Sequence, residues 1–433
     1  MQPTETCDVL VIGGGPAGST ISTYLRREGW NVVLLEKDQH PRFHIGESLL
    51  PRNLPIFDEL GVAEKVRNIG VLKHGADFTL PGESRHVLAD FADALEPSPP
   101  TAYQVKRAEF DEVLLRHAAE SGVVVHERTK ATAIRFEGEE KAIVESRNDA
   151  GETKAWEARF LVDASGRDTF LGNRFDLKVK NPNHESAAIF AHFENVKFRP
   201  GDEAGNISMY FFKYGWYWFI PLRGSIMSIG AVCRPAYLKS RKVEIKQFLM
   251  DTLALCPELT DRIRGATLAS DVMTAGNFSY DSKRMYDKNY LLVGDAYAFI
   301  DPVFSTGVFL AMSSARSGAA TITACLRNPA SRRRRLADHQ RRVRRWLRTY
   351  SWFIYRFTSP AMKRLITTQR NPLGLKSAAI SILSGDTTMT PSRMFRITAF
   401  KTIYYLFTLQ AWQQSRDWRR HVQVLRTVET AAE

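Results

Sequence analysis

The chain has 433 residues, with 44% hydrophobic and 25% charged residues and a formal net charge of +13. That length allows two or three domains with large cores, and the composition is typical of a soluble globular protein. The four cysteines are far apart and form no C-x-x-C pair, which argues against a zinc site or a disulfide framework. We therefore expect a reduced, cytoplasmic setting and no bound metal.

Two further features concern membranes and partners. No signal peptide precedes the first predicted strand, and the apolar run 403–409 is too short to span a bilayer. The isoelectric point near 9.6 indicates an acidic partner surface. Charge alone leaves that partner open between a carrier protein, anionic lipid and nucleic acid.

Residues 8–36 predict a strand, a turn, a helix and a second strand. Gly13, Gly15 and Gly18 have G-x-G-x-x-G spacing, which permits a tight bend, admits a pyrophosphate and lets helix and strand pack closely. The helix N-terminus then faces the phosphates. Glu36 ends the second strand, where its carboxylate accepts hydrogen bonds from an adenosine ribose and disfavours NADP. The unit predicts a dinucleotide-binding site.

The next two segments predict a loop and a strand. Residues 37–53 are interrupted by prolines and a glycine, so we expect a loop over the nucleotide in which Arg42 contacts a phosphate. Residues 70–80 predict a strand on which Lys73 and Asp77 share one face. Base rates favour a solvated lysine at a sheet edge unless another observation gives Lys73 a chemical role.

The middle of the chain alternates between helix and strand patterns. Residues 103–119 have helical periodicity with Arg107 near the helix entrance, and short strands are predicted over 123–127, 130–136, 141–146 and 160–164. Residues 186–233 alternate as half-buried antiparallel strands do, which predicts a sheet suited to walling a substrate cavity. Trp216 and Trp218 lie two residues apart and project from one face of that sheet, either into the cavity or as core aromatics.

A second segment with candidate ligand-binding residues begins near Asp295. Asp295 can accept hydrogen bonds from a polyol such as a ribityl chain. Ser305, Thr306 and Gly307 then precede a long helix over residues 308–326, and its free N–H groups and positive dipole end converge near Thr306 and Gly307. An anion binds there, unless Ser305 or Thr306 only caps the helix.

The composition changes after Asn328. Residues 332–348 contain nine arginines and one acid and predict an amphipathic helix. The aromatic-rich remainder predicts a helical layer that closes one side of the cavity and fits a membrane surface or a carrier protein. We therefore predict an α/β fold with three parts. They are a discontinuous Rossmann-type domain (1–80 with 102–175 and 285–330), an antiparallel substrate-domain sheet (81–101 with 176–284) and a basic helical C-terminal region (331–433).

Four of these segments together resemble flavin-dependent halogenases, within the wider class of FAD monooxygenases and geranylgeranyl-reductase-like flavoproteins. The segments are GGGPAGS with Glu36, the loop IGESLLP, GWYWFIP and GDAYAFIDPVFSTGV, and the resemblance covers roughly residues 5–330. Residues 216–221 match the W-x-W-x-I-P motif that halogenases carry and most hydroxylases of the class lack.

The resemblance implies a role for each matching residue. Those expected to hold FAD are Gly13, Gly15, Ala17, Gly18, Glu36, Lys37, Arg42, Ser48, Arg107, Asp295 and Gly307. Thr306 and Gly307 are expected to offer N–H groups to halide, and Trp216 and Trp218 to keep organic substrate away from the flavin. Lys73 aligns with the family's active lysine, which hydrogen-bonds hypohalous acid as an ammonium or becomes a haloamine as a neutral amine.

The partners follow from the resemblance and from the single dinucleotide fingerprint. Reduced FAD is expected from a separate flavin reductase, with halide and oxygen as co-substrates. The expected organic substrate is a phenolic or pyrrolic aromatic, free or on an acidic acyl carrier protein, because the chain lacks tryptophan-halogenase-like insertions. Membrane contact is expected to be peripheral at most, and no nucleic acid is expected. The alternatives are an FAD monooxygenase or double-bond reductase on the same scaffold, and a flavin-binding protein without turnover.

Overall fold

The computed structural model describes residues 5–410 except 83–85, 96, 139, 182–184, 277–278, 368–370, 387 and 389. The strands are β1 (Glu5–Ile12), β2 (Val32–Leu35), β3 (Val71–Lys73), β4 (Gly75–Thr79), β5 (Val87–Asp90), β6 (Ala102–Gln104), β7 (Val124–His126), β8 (Thr129–Glu137), β9 (Lys141–Asn148), β10 (Thr153–Asp163), β11 (Lys178–Lys180), β12 (Ala187–Glu194), β13 (Ile207–Phe212), β14 (Gly215–Leu222), β15 (Ile226–Cys233), β16 (Thr267–Leu268), β17 (Met273–Ala275), β18 (Tyr280–Ser282), β19 (Tyr286–Asp287) and β20 (Tyr290–Leu292).

The helices are α1 (Pro16–Arg27), α2 (Leu54–Leu60), α3 (Ala63–Ile69), α4 (Arg107–Glu120), α5 (Phe170–Arg174), α6 (Pro235–Lys239), α7 (Ile245–Ala254), α8 (Thr260–Ile263), α9 (Thr306–Arg327), α10 (Arg332–Ile354), α11 (Pro360–Thr367), α12 (Leu375–Leu383) and α13 (Pro391–Gln410). The predicted helix over 103–119 starts later than expected, because residues 102–104 pair as β6 with β3.

The first sheet has the strand order β19-β20-β10-β1-β2-β7, and the β8–β9 hairpin joins it through β10. The strands β20, β10, β1, β2 and β7 run parallel. Four successive residues of β1 and all of β2 are buried, as expected for parallel strands that are covered on both faces. The unit β1–α1–β2 confirms the predicted strand, turn, helix and strand, and the predicted α/β fold class is confirmed.

The second sheet has the order β16-β12-β15-β14-β13-β4-β5, with β17 also paired to β12. The prediction of one strand over residues 70–80 is wrong, because β3 pairs with β6 while β4 pairs with β13 and β5. The side chain of Asn206 accepts hydrogen bonds from the N–H groups of His74 and Gly75 where the two strands separate. Residues 75–79 therefore belong to the second sheet, although the predicted boundary at residue 80 placed them with the Rossmann-type domain.

The described part of the C-terminal region contains α10–α13. Leu336 and Val343 of α10 pack in the core around the first sheet, whereas the end of α10 and α11–α13 pack against the second sheet. Phe357, after α10, is 1% exposed. Its ring centroid lies 5.1–6.3 Å from those of Phe78, Phe211, Trp216 and Phe304. Within residues 5–410, leaving aside the gaps in that range, no helix is long and apolar enough to cross a membrane. The last part of the predicted basic region, 411–433, lies outside the described residues.

Candidate active site

The glycine turn between β1 and α1 is closely packed on one side and open on the other. A Cβ atom on Gly13 would lie 2.4 Å from the carbonyl oxygen of Ala164, and one on Gly18 would lie 1.8 Å from that of Gly13. At Gly15 a Cβ atom would meet only a guanidinium nitrogen of Arg42, at 3.7 Å. Glycine at 13 and 18 thus serves packing, whereas glycine at 15 keeps the α1 N-terminus accessible.

Glu36 lies at the end of β2 and fixes the turn. Its Oε2 accepts a hydrogen bond from the N–H of Gly14 at 2.6 Å, and its Oε1 accepts one from the N–H of Asp38 at 2.9 Å. The Arg42 guanidinium lies near Glu36, and its buried Nε has no hydrogen-bond partner among the described residues. A cation beside an open helix N-terminus fits a phosphate group.

Arg107 begins α4 and lines the cavity. Its guanidinium binds the Asp111 carboxylate and donates a hydrogen bond to the carbonyl oxygen of Ile45 at 2.8 Å. Asp295 follows β20, where burial raises the pKa of its carboxyl to about 6 against the opposing charges of Arg107 and Arg167. An acid that protonates near neutral pH can both donate and accept hydrogen bonds toward a polar ligand.

The N-terminus of α9 starts after a residue with left-handed backbone geometry. Ser305 has φ of 55°, and its side chain makes no capping hydrogen bond. The alternative that Ser305 only caps the helix is therefore not observed. Thr306 is 2% exposed, and Gly307 lines the cavity.

Lys73 ends β3 and is 1% exposed, so the expectation of a solvated edge lysine is wrong. Its Nζ donates hydrogen bonds to Ser48 Oγ at 2.7 Å and to the carbonyl oxygen of Leu49 at 2.8 Å. Among the described residues no carboxylate forms an ion pair with it, and burial lowers the pKa of Lys73 from 10.5 to about 7. Asp77, which was expected on the same strand face, instead binds Arg199 and Ser208 in the second sheet.

Trp216 and Trp218 lie on β14 and are each 5% exposed. Their ring centroids are 6.1 Å apart, and Trp218 Nε1 donates a hydrogen bond to Ser228 Oγ at 3.1 Å. The neighbouring β15 carries Gly230, on which a Cβ atom would lie 2.2 Å from the Trp218 ring. The Trp218 indole therefore has a fixed position on the sheet face, next to that of Trp216.

One cavity of about 1040 Å³ lies between the two sheets. It is lined by most of the predicted site residues, namely Gly13, Gly15, Ala17, Glu36, Lys37, Arg42, Ser48, Arg107, Trp216, Trp218, Asp295 and Gly307. Gly18, Lys73 and Thr306 do not line it. None of its lining residues comes from α10–α13, so the prediction that the C-terminal layer closes one side of the cavity is wrong for the described residues.

Among the cavity-lining residues that sequence reasoning missed are Glu47 and Phe43. Glu47 is 1% exposed, its Oε1 lies 2.7 Å from His192 Nε2, and its Oε2 has no hydrogen-bond partner among the described residues. Phe43 also lines the cavity and is 47% exposed, with its ring centroid 6.2 Å from that of Phe190. Both Glu47 and Phe43 lie in the loop that the sequence predicts over the nucleotide. Their position in that loop is the sequence signal that could have identified them as cavity residues.

The cavity suits a large dinucleotide. Its volume is at the upper end of the range of roughly 300–1,000 Å³ for ligand sites. One wall offers the open face of Gly15 with the Arg42 cation, and other walls offer Asp295 and large apolar surfaces. This set matches the phosphates, polyol and ring system of FAD and defines a flavoprotein.

Comparisons with known proteins agree. Residues 6–350 match the model of a family described as an FAD binding domain. The flavin-dependent halogenase armH1 of Armillaria mellea is 35% identical over 79% of this chain and 69% of that protein. The tryptophan 2-halogenase of Chondromyces crocatus is 36% identical over 74% of this chain and 62% of that protein. The structure of the myxobacterial chondrochloren halogenase CndH is 30% identical, covers 94% of this chain and 96% of that one, and gives a TM-score of 0.78.

The chain therefore belongs to the flavin-dependent halogenases. FAD is its cofactor, and it is an FAD-dependent oxidoreductase.

Proposed function

We propose that this halogenase transfers oxidised halogen to an electron-rich aromatic substrate by way of Lys73. The observation that carries the proposal is a buried amine that forms no ion pair with a described carboxylate and is hydrogen-bonded to a serine of the cavity wall. Because burial lowers the pKa of Lys73 to about 7, a large fraction of the amine is neutral and nucleophilic near pH 7.

The residues around the cavity have separate roles in this proposal. The glycine turn and Glu36 hold the adenosine diphosphate part of FAD, and Arg107 with Asp295 supports the ring system. When bound and reduced, FAD supplies the activation of oxygen by which halide is oxidised. The N–H groups of Thr306 and Gly307 hold halide at the positive end of the α9 dipole.

The two indoles of β14 exclude the organic substrate from the flavin. Their bulk on one sheet face leaves halide as the species that is oxidised, and the resulting hypohalous acid reaches Lys73. The neutral amine attacks the halogen, so that an N–X bond forms, the O–X bond breaks and water leaves. The haloamine then delivers halogen to the ring of the substrate.

A separate reductase supplies the reduced flavin, since the chain has one dinucleotide fingerprint. The organic substrate is a phenol or pyrrole carried on an acidic acyl carrier protein. Four arginines of α10 recur at one-face spacing and are exposed, namely Arg334, Arg341, Arg345 and Arg348. They offer a positive surface to such a carrier.

A coupled assay tests the reaction. Protein, FAD, a flavin reductase, NADH and chloride or bromide are mixed with phenol, pyrrole and indole probes, and products are analysed by mass spectrometry. Halogenated phenol or pyrrole is the expected product. Hydroxylated or reduced probe without halogen would contradict the proposal. Halogenated indole as the sole product would mean that the substrate is an indole and not a phenol or pyrrole.

Charge reversal tests the carrier. Replacing Arg334, Arg345 and Arg348 by Glu should raise KM for a carrier-bound substrate, the more so at low salt, and leave FAD affinity unchanged. The control reverses Lys242 and Arg264, which are exposed outside α10. Equal use of the free substrate, or salt-dependent binding to anionic vesicles in place of the carrier, would contradict the carrier assignment.

A further inference from the structure

The buried Lys73 amine is separated from the cavity by one hydroxyl group. Lys73 does not line the cavity, whereas Ser48, whose Oγ lies 2.7 Å from Lys73 Nζ, does. Any reagent or proton in the cavity therefore meets Ser48 before it meets the amine.

Backbone pairing fixes the position of Ser48. The carbonyl oxygen of Glu47 accepts a hydrogen bond from the N–H of Val105, and the N–H of Leu49 donates to the carbonyl oxygen of Tyr103. The segment 47–49 thus runs beside β6, whose other edge pairs with β3. Ser48 and Lys73 are held on either side of one strand, so their contact does not depend on a mobile loop.

The Ser48 hydroxyl group can donate a hydrogen bond as well as accept one. Lys73 Nζ gives hydrogen bonds to Ser48 Oγ and the Leu49 carbonyl oxygen. Ser48 accepts from Lys73, and no described residue accepts the hydrogen of its hydroxyl group. That hydrogen is available to a water or ligand in the cavity, because a serine hydroxyl both donates and accepts.

We propose that Ser48 is a proton relay between Lys73 and the cavity. An N–H bond of the Lys73 ammonium breaks as an O–H bond forms at Ser48, and the original Ser48 hydrogen passes to a water in the cavity. The amine becomes neutral while its proton leaves through its one hydrogen bond to a described cavity-lining residue. Ser48 is then a positioning and relay residue, not only a wall of the flavin site.

Among the described residues, Ser48 is the one cavity-lining residue that is hydrogen-bonded to Lys73. The centroid of the Phe91 ring lies 5.2 Å from Lys73 Nζ. The strand that carries Lys73, β3, pairs with β6. Among the described residues the charged group next to the relay is Glu47, which is bonded to His192. The pH dependence of proton transfer between Lys73 and Ser48 therefore includes the charges of Glu47 and His192.

Two variants and a control test the relay, which rests on the proposed role of Lys73. Ser48→Ala should reduce halogenated product about 10²-fold, the usual effect of losing one acid–base group, while release of hypohalite or peroxide continues. Ser48→Thr keeps a hydroxyl and should recover most of the product. Ser146→Ala removes another buried serine that accepts a side-chain N–H, from Trp156 at 2.8 Å away from the cavity, and should leave product unchanged.

A second readout needs neither flavin nor halide. Lysine labelled with 13C at Cε reports the titration of Lys73 in the flavin-free protein, with its signal assigned through Lys73→Met. The midpoint should move to lower pH in Ser48→Ala, because the ammonium loses an acceptor, and stay in place in Ser146→Ala. An unmoved midpoint, or a Ser48→Thr variant as inactive as Ser48→Ala, would overturn the relay. If the wild-type protein formed no halogenated product, the proposed function would fail while the titration still tested the Ser48–Lys73 link.

Discussion

Arg107 and Asp111, one turn apart on α4, form a two-point ion pair. Arg107 Nε lies 2.7 Å from Asp111 Oδ1, and the second nitrogen lies 2.9 Å from Oδ2. Arg107 is 6% exposed and Asp111 is fully buried. Although burial alone would raise it, the Arg107 guanidinium holds the pKa of the Asp111 carboxyl below its ordinary value.

Breaking this pair should destabilise the protein strongly. Asp111→Asn leaves a buried guanidinium without its counter-ion, which costs about 3–5 kcal/mol. Chemical denaturation should show this loss, whereas Glu120→Gln at the exposed Lys65 pair should change stability by less than about 1 kcal/mol. Because the folded-state pKa of Asp111 is depressed, its contribution is present above pH 4 and is lost as pH falls through the folded pKa. Equal losses in both variants would contradict this assignment.

Gly15→Val should fold and fail to bind FAD. A Cβ atom at residue 15 meets only the Arg42 side chain at 3.7 Å, and the backbone at Gly15 is extended, so valine is tolerated. Its branches then occupy the space over the α1 N-terminus where phosphate binds. Thermal melting and flavin fluorescence titration separate the two effects. Gly18→Val should instead prevent folding, since its Cβ atom would lie 1.8 Å from the Gly13 carbonyl oxygen.

The β1–α1–β2 unit was predictable because its signals are local: apolar runs, glycine spacing and a terminal acid. The break at His74 was not, because it depends on Asn206, which is distant in sequence. Burial of Lys73 was missed for the same reason. The strand pattern gives the side-chain alternation, but β6 and the segment 47–49, which cover Lys73, come from elsewhere in the chain.

Reducing the bulk of Trp218 should change which molecule is oxidised, the halide or the organic substrate. Trp218→Phe removes bulk and the hydrogen bond to Ser228, so organic substrate gains access to the flavin. Some substrate should then acquire oxygen instead of halogen, which mass spectrometry under 18O2 would detect. Ser228→Ala removes the hydrogen bond but keeps the ring and should yield little oxygenated product. Oxygenation equal to that of the wild type in Trp218→Phe would argue against a shielding role.

The pH dependence of halogen transfer separates the two roles of Lys73. Burial lowers the pKa of Lys73 to about 7, so the neutral amine predominates above that pH and the ammonium below it. Transfer through a haloamine should therefore rise with pH and level off above about pH 7 in single-turnover measurements with reduced FAD. A rate that falls above pH 7 would assign the ammonium, acting as a hydrogen-bond donor, as the active form.

Replacing Lys73 tests whether its amine carries halogen to the substrate. Lys73→Met keeps an unbranched side chain of similar length and removes the amine, and Lys73→Arg keeps a positive charge on a group that cannot become a haloamine. In the coupled assay both variants should bind FAD, consume oxygen and release hypohalite or peroxide, with almost no halogenated product. Full halogenated product from Lys73→Met would contradict the account.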